Sequence, residues 1–309
     1  MTSAAPPPTS PTGGEDHGSA HLSGIALMLI AICVFSLGDA LGKALVATYP
    51  VGQLLFLRGL AALILLSPLA ISQRTAFRRI ENKRLHALRM FFSTADVAAF
   101  FVAAIYLPLT DIITYYLAAP IFVTALSGLI LRETVGWRRW SAVAVGFCGV
   151  LIALRPSAET ITWPALIALA GSLSFAGLMI VTRLLRGTPE IVLATTQIAA
   201  TFLCGAVAST VAWTSPGLAD LGLFGLAGII TISALFCLNR ALRLAPASMV
   251  VPYQYTMIVW AVIFGYAVFG DAPEPATLAG AAIIITAGLY IFLREQALGR
   301  AAISPEPPA

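Results

Sequence analysis

Two charged residues interrupt a stretch that is otherwise almost entirely apolar, within the segment FSLGDALGK at residues 35–43. Asp39 and Lys43 are four residues apart, so on a helix their side chains share a face and can pair. A charge at membrane depth costs about 2.5–3.5 kcal/mol on insertion scales unless it is paired or faces a wet cavity. We therefore expect this face to point inward, with Arg58 of the next apolar stretch completing a polar cluster near the external end. The cluster would either bind an anionic or polar group or join the first two helices as a structural bridge.

A single carboxylate, Asp96, lies inside another apolar stretch, with Ser93 and Phe100 on the same helical face at spacings of three and four residues. A carboxylate at membrane depth can carry a coupling proton. It can equally hydrogen-bond a neighbouring helix. Both roles are kept as hypotheses for Asp96.

Aromatic residues with polar tips, flanked by amides, occur in two further stretches that also contain Pro120 and Pro252. They are Tyr115, Tyr116, Asn239, Tyr253, Gln254, Tyr255 and Trp260. Proline can open the backbone of a helix toward a cavity, and rings with polar tips suit a planar, partly aromatic ligand. Tyr and Trp also gather at membrane interfaces without any ligand, so interface anchoring is the alternative.

The elements that must position these residues follow from the composition of the chain. Of its 309 residues, 59% are hydrophobic and 10% charged, and the mean hydropathy is +0.91. Soluble domains contain about 25% charged residues, so this composition is typical of a multi-span membrane protein. Ten apolar stretches are each long enough, or nearly so, to cross the bilayer as a helix. The predicted spans are residues 22–46, 51–72, 89–108, 110–131, 140–155, 163–185, 190–213, 219–240, 246–270 and 275–294.

The positive charges predict the orientation of these spans. Of 18 Lys and Arg residues, 15 fall in connections or tails on one side, and Arg155 alone lies in an opposite connection. Basic residues are retained in the cytoplasm, so we expect both ends to be cytoplasmic, with a disordered tail at residues 1–21 and a second tail at 295–309. The charge pattern therefore reflects topology and not nucleic-acid binding.

An internal repeat becomes visible when the two halves are compared at an offset near 138 residues. Pro108 then corresponds to Pro246, and in the first helix of each half Lys43 corresponds to Arg183 at an offset of 140. Each half has five predicted spans, an odd number, so the second copy enters the membrane inverted. Inverted repeats place a substrate path at their interface and open it alternately to either side.

Catalytic and metal-binding constellations are not recognisable in the sequence. The four cysteines lie singly in different apolar stretches, and His17, His21 and His86 fall in the predicted tail or the basic loop. Without a metal motif or a nucleophile and base at a suitable spacing, we expect no catalytic residue, metal or other cofactor. An intramembrane enzyme stays a remote alternative.

The closing segments of the two halves carry a resemblance to a known family. YLPLTDIITYYLAAPIFVTALSGLILRETVGWRRWSAVAVGFCGVLIA and APASMVVPYQYTMIVWAVIFGYAVFGDAPEPATLAGAAIIITAGLYIFLRE are similar to EamA-type members of the drug/metabolite transporter superfamily. Asp271 stands where this family usually has Glu, and FSLGD replaces a frequent Trp-Gly.

The resemblance implies an all-α membrane protein of ten transmembrane helices, built from inverted five-helix repeats at residues 22–155 and 163–294. It also implies alternating-access transport of a small metabolite across the bacterial inner membrane, with proton coupling as an option. With the tyrosine set, it favours a planar vitamin-like or heterocyclic compound such as riboflavin. Export of an amino acid or related metabolite is the alternative. The expected partners are this metabolite and the lipid bilayer, and a homodimer is compatible with the organisation.

Overall fold

Helices form all the regular structure in the part of the chain that the computed structural model describes. The described residues are 13–78, 80–132, 136–154 and 162–270, with single positions at 275, 279, 282, 283 and 286. Seven described helical segments are long and apolar enough to cross a membrane. They are Ala20–Val46, Val51–Ser72, Lys83–Tyr106, Trp163–Leu184, Glu190–Ala208, Leu218–Leu244 and Val251–Phe269. The predicted all-α membrane architecture is confirmed.

The helices follow the predicted division into two halves. The first half contains α1 (Gly13–Val46), α2 (Val51–Ser72), α3 (Arg74–Arg78), α4 (Lys83–Tyr106), α5 (Leu109–Tyr116), α6 (Ala119–Leu126), a π-helical turn (Ser127–Leu131) and α7 (Trp137–Leu154). The second half contains α8 (Trp163–Leu184), α9 (Glu190–Ala208), α10 (Leu218–Leu244), α11 (Ala247–Val250), a 3-10 segment (Val251–Thr256), α12 (Met257–Phe264) and a π-helical turn (Gly265–Phe269).

Two helices begin earlier than the sequence predicted. Helix α1 begins at Gly13, so the tail expected to be disordered over residues 1–21 is helical from Gly13 onward, after the last of its prolines; residues 1–12 lie outside the described residues. Helix α4 begins at Lys83, six residues before the predicted span at 89–108. It therefore contains His86, which the sequence had assigned to the basic loop, and Arg89, which had been predicted at the edge of the span. Both side chains are buried in the helix bundle.

The internal repeat is visible in the backbone itself. The π-helical turns Ser127–Leu131 and Gly265–Phe269 correspond at the offset of 138, and each ends at a residue in the left-handed region. These residues are Arg132, with φ of 53°, and Gly270, with φ of 74°. Before each turn the helix is interrupted, in the first half between α5 and α6 and in the second by the 3-10 segment that contains Pro252. Proline lacks the N–H that a continuous helix needs.

Packing between the halves also follows the repeat. Helix α1 packs against α10, α4 packs against α8, and α2 packs against α9. At the repeat offset α1 corresponds to α8 and α4 to α10, so the first two contacts are equivalent and the α2–α9 contact lies between them. The α2–α9 approach depends on Gly205, since a Cβ there would lie 2.5 Å from the backbone nitrogen of Phe56. Small residues allow this kind of close helix contact in membranes.

The tenth predicted span is only partly described. Its described positions between 275 and 286 are helical. The rest of residues 275–294, Glu133, Asp271 and the predicted tail at 295–309 lie outside the described residues. The count of ten spans therefore stays a prediction, whereas the two-repeat organisation does not depend on it.

Candidate functional site

A cavity of about 100 Å³ lies between the two halves and is called the central cavity below. Helices α1, α2 and α4 and the end of α5 line it from the first half, and α8, α9, α10, the 3-10 segment and the start of α12 line it from the second. Phe35 and Phe175, which correspond in the repeat, both line it. Since a single water needs roughly 10–15 Å³ in such a cavity, the space is large enough for several water molecules. Five of the residues singled out in the sequence line it: Asp39, Arg58, Asp96, Tyr116 and Gln254.

Three of these residues form a charged triad, defined as Asp39, Arg58 and Asp96. Arg58 lies close enough to interact electrostatically with both carboxylates. Its guanidinium carbon also lies 4.9 Å from the centre of the Phe101 ring, a cation–π arrangement that holds a guanidinium in place. With all three groups ionised, the triad carries one net negative charge. It therefore favours a cation, a proton or a hydrogen-bond donor in the central cavity.

Tyr116 fixes the edge of the cavity beside the triad. Its hydroxyl donates a hydrogen bond to the backbone carbonyl of Asp96 at 2.8 Å, and its ring packs edge-on against Phe100. The approach requires glycine at position 171, because a Cβ there would overlap the Tyr116 hydroxyl. Tyr116 thus joins α4, the end of α5 and α8 at one point.

Gln254 presents an amide group that has no partner in the described part of the chain. The residue lies in the 3-10 segment, is 3% exposed and lines the central cavity. Among the described residues, neither its amide nitrogen nor its amide oxygen has a hydrogen-bond partner. A buried polar group left unsatisfied costs about 1–3 kcal/mol. A ligand that offers an adjacent acceptor and donor would recover this free energy.

Arg89 is the functional candidate that the sequence reasoning missed. It is 1% exposed and donates hydrogen bonds to four neutral acceptors on α8, α9 and α10. These are Thr182 Oγ1 at 2.9 Å, Leu193 O at 2.8 Å, Gln197 Oε1 at 2.7 Å and Asn239 Oδ1 at 3.0 Å. One side chain of the first half therefore joins three helices of the second, and Asn239 contacts Arg89 outside the cavity lining. Arg89, Ser93, Asp96 and Phe100 recur at helical spacing, a signal that could have placed Arg89 on the buried face.

The two halves contact each other at both ends of the bundle. The end at which α2, α8 and α10 terminate and α4 and α9 begin is called the basic end, and it contains the Arg89 contacts. The end on the other side of the membrane-spanning helices is called the opposite end. At the opposite end, Tyr49 donates to Asp220 Oδ2 at 2.7 Å, which stabilises the protonated phenol and raises the pKa of Tyr49. The Gln53 amide exchanges two hydrogen bonds with the backbone of Thr214, at 2.6 and 2.9 Å. The halves thus contact each other at both ends.

Lys43 lies outside the cavity lining, at the carboxyl end of α4. Its ammonium donates to the carbonyls of Leu107, at 2.7 Å, and Ala104, at 3.4 Å. In the second half Arg183 donates to the Leu242 carbonyl of α10 at 2.6 Å. Lys43 corresponds to Arg183, and Ala104 corresponds to Leu242, so the two cations make equivalent contacts. Cations stabilise helix carboxyl ends, where carbonyls lack partners. These contacts support a structural role for Lys43, but they join α1 to α4 and not to the second helix as the sequence suggested.

We expect Lys43→Gln to lower the free energy of unfolding by about 1–2 kcal/mol, on the scale of a cation at a helix terminus, with little change in substrate affinity. Arg183→Gln should do the same, and the exposed Arg186→Gln is the control. Thermal unfolding in detergent and ligand titration on the same preparations measure both quantities. A Lys43→Gln protein of normal stability but reduced affinity would restore a direct substrate role.

The remaining predicted aromatics pack in the helical core. The Tyr255 hydroxyl donates to the Val143 carbonyl of α7 at 3.1 Å, and the Trp260 ring stacks on Phe264. Tyr253 is buried and Tyr115 partly buried in the same core. None of these four residues lines the described central cavity, so a direct contact with substrate stays a prediction for them.

Comparison with known proteins identifies relatives over most of the chain. The family model of EamA-like transporters matches residues 22–155 and 162–293. An S-adenosylmethionine uptake transporter of Rickettsia prowazekii (strain Madrid E) is 25% identical over 283 residues, covering 89% of this chain and 94% of the relative. A riboflavin transporter of Rhizobium johnstonii is 31% identical over 212 residues, covering 68% and 70%. A solved crystal structure of 16% identity shares the fold, with a TM-score of 0.71 over 91% of this chain and 98% of that chain.

Proposed function

Because the chain belongs to the EamA-like transporter family, we propose that it carries a planar nitrogen heterocycle of the riboflavin type through its central cavity. The protein is a multi-pass membrane transporter of a small metabolite and not an enzyme, as its named relatives are transporters. The residues that we assign to the substrate are the charged triad, Tyr116 and Gln254.

The unpaired amide of Gln254 is the observation that carries this proposal. An amide side chain presents a donor and an acceptor side by side, which is how Asn and Gln bind the edge of adenine. Riboflavin and S-adenosylmethionine, the compounds named for the two relatives, both contain a planar ring system with adjacent donor and acceptor atoms. Gln254 is therefore suited to the feature that the two compounds share.

The charged triad favours a second candidate, a cationic metabolite derived from an amino acid. S-adenosylmethionine carries a sulfonium, which would complement the negative charge of the triad when Asp39 and Asp96 are both ionised. Neutral riboflavin would not use this charge, so in that case the carboxylates are free to hold a coupling proton. A comparison of the uptake of a cationic substrate with that of a neutral one therefore distinguishes the two candidates.

Alternating access would operate through the contacts at the two ends of the bundle. The central cavity, at about 100 Å³, is smaller than the roughly 300–1,000 Å³ of typical ligand pockets, so the halves must separate to admit a substrate. At the basic end this would break the Arg89 hydrogen bonds, and at the opposite end the Tyr49–Asp220 contact. From the distribution of basic residues we propose that the basic end and both termini are cytoplasmic, in a bacterial inner membrane.

A binding experiment on one pair of variants tests the assignment of Gln254. We expect Gln254→Leu to bind riboflavin or S-adenosylmethionine about 5- to 150-fold more weakly than the unmodified protein, the range for losing a buried hydrogen-bond partner. Met257→Leu is the matched control, because Met257 lines the same cavity without a polar group. Titration of purified protein in detergent gives the dissociation constants. Equal affinity in Gln254→Leu and Met257→Leu would remove Gln254 from the site.

A further inference from the structure

Two grooves on the outer surface of the basic end meet at the Phe77 side chain of α3. The first, of about 370 Å³, lies between α2, α3 and α9. The second, of about 520 Å³, lies between α3, the start of α4 and α9. Neither groove shares a lining residue with the central cavity, so their occupant does not depend on the transported substrate.

The first groove is lined mostly by hydrocarbon. Leu63, Leu66, Ala70 and Ile71 of α2 form its wall, and Arg74, the first residue of α3, lies at one end of it. A surface of this kind at the edge of a helix bundle faces acyl chains in a membrane. The basic side chain places a positive charge at one end of an apolar channel.

The second groove has the composition of an anion site. Arg78 and Lys83 line it, and both are exposed basic side chains beside the apolar Ile80 and Met90. His86 also lines it, although the residue is only 6% exposed. Among the described residues the Nδ1 atom of His86 has no hydrogen-bond partner. The groove thus combines two cations with a buried imidazole whose Nδ1 lacks a partner among the described residues, a set of groups that suits a phosphate or glycerol oxygen.

From this arrangement we propose that the two grooves form one binding site for an anionic diacyl phospholipid. The phosphodiester lies in the second groove against Arg78, Lys83 and His86, and an acyl chain lies along α2 in the first groove. The general preference of basic residues for the cytoplasmic side would by itself explain positive charges at this end. It would not explain why an apolar groove lies next to these charges. Nor would it explain why a buried imidazole nitrogen has no partner among the described residues. Basic pockets between membrane helices bind anionic headgroups in this way.

Lipid titration with charge-matched variants tests the proposal. The full-length protein in detergent is titrated with phosphatidylglycerol or phosphatidylcholine, and bound lipids are counted by native mass spectrometry. Arg78→Gln with Lys83→Gln should weaken phosphatidylglycerol binding by about tenfold or more, given the attraction of roughly 1 kcal/mol per basic residue near an anionic lipid surface. Arg84→Gln with Arg186→Gln is the control, because it removes two exposed charges from the same end that line neither groove. We expect its effect to stay below about twofold.

Two further arms separate a lipid from a free anion and from diffuse charge. Ala70→Trp fills the apolar groove without changing charge and should also weaken phosphatidylglycerol binding, whereas inorganic phosphate should not displace the lipid. Equal loss in the two charge-matched double variants would overturn the proposal in favour of diffuse surface charge. Displacement by phosphate, or unchanged binding in Ala70→Trp, would overturn it in favour of a simple anion site.

Discussion

Arg58→Met should abolish solute uptake and strongly reduce the amount of folded protein. Arg58 interacts with both Asp39 and Asp96, and its removal leaves two carboxylates in one cavity without a cation. Removing one partner of a buried charge pair costs about 3–5 kcal/mol, because the remaining charge is left uncompensated. Size-exclusion profiles of the solubilised protein give the folded fraction, and proteoliposome uptake gives transport.

A second substitution separates the electrostatic effect of Arg58 from its packing on Phe101. Adding Asp39→Asn to Arg58→Met removes one carboxylate and should recover most of the folded protein but not uptake. Arg58→Lys keeps the charge but loses the planar contact with the ring, so it should fold and transport slowly. The exposed Arg84→Met is the control for loss of a positive charge. Normal folding and uptake by Arg58→Met alone would contradict the assigned role of the charged triad.

The second large effect is expected at the basic end. Arg89→Met removes four hydrogen bonds at once and leaves the acceptors on α8, α9 and α10 without their donor. Hydrogen bonds to a charged group contribute about 1.5–3 kcal/mol each and are not additive. We expect the free energy of unfolding to fall by about 3 kcal/mol or more, together with a shift toward conformations open at the basic end.

Gln197 provides the matched comparison for Arg89, because it accepts one of the four hydrogen bonds and also lines the central cavity. Gln197→Leu should destabilise less than Arg89→Met, and the double variant should cost less than the sum of the two, since the residues share a contact. Thermal unfolding gives the stabilities, and reaction of a cysteine placed at Leu238 with a polar reagent reports opening. Two results together would contradict a role of the Arg89 hydrogen bonds in closing the basic end. One is additive losses of stability in the double variant, and the other is unchanged reactivity of the cysteine at position 238 in Arg89→Met.

Much of the fold could be predicted from the sequence, because similar residue types recur in the two halves at a nearly constant offset. The correspondence of Lys43 with Arg183 was part of the evidence for the repeat, and in the structure both residues bind equivalent helix ends. Proline positions predicted interrupted helices, and in each half the interruption precedes one of the two corresponding π-helical turns. Membrane depth restricts charges to a few solutions, so Asp39, Arg58 and Asp96 could be expected to face inward.

The parts of the site that escaped prediction depend on helix rotation and helix length. Spacing of four residues allowed Asp39 to pair with Lys43, but the end of α4 lies within reach of Lys43 while Arg58 lies near Asp39. Arg89 was predicted as the first residue of the third span, at its cytoplasmic edge, whereas the helix begins six residues earlier, at Lys83. Uncharged Gln197 gave no signal on its own. Its role depends on the Arg89 side chain of a helix in the other half.

Substrate protection of a cysteine inside the central cavity tests most directly whether this cavity holds the transported solute. Thr201 lines the cavity, whereas Ser215 lies exposed in the connection after α9. In a background without Cys33, Cys148, Cys204 and Cys237, each site receives a cysteine and is modified with a small polar thiol reagent. Riboflavin or S-adenosylmethionine at ten times its dissociation constant should slow modification of Thr201→Cys by about tenfold, as expected from site occupancy, and leave Ser215→Cys unchanged. Modification of Thr201→Cys at the same rate with and without a solute that the protein transports would contradict the account.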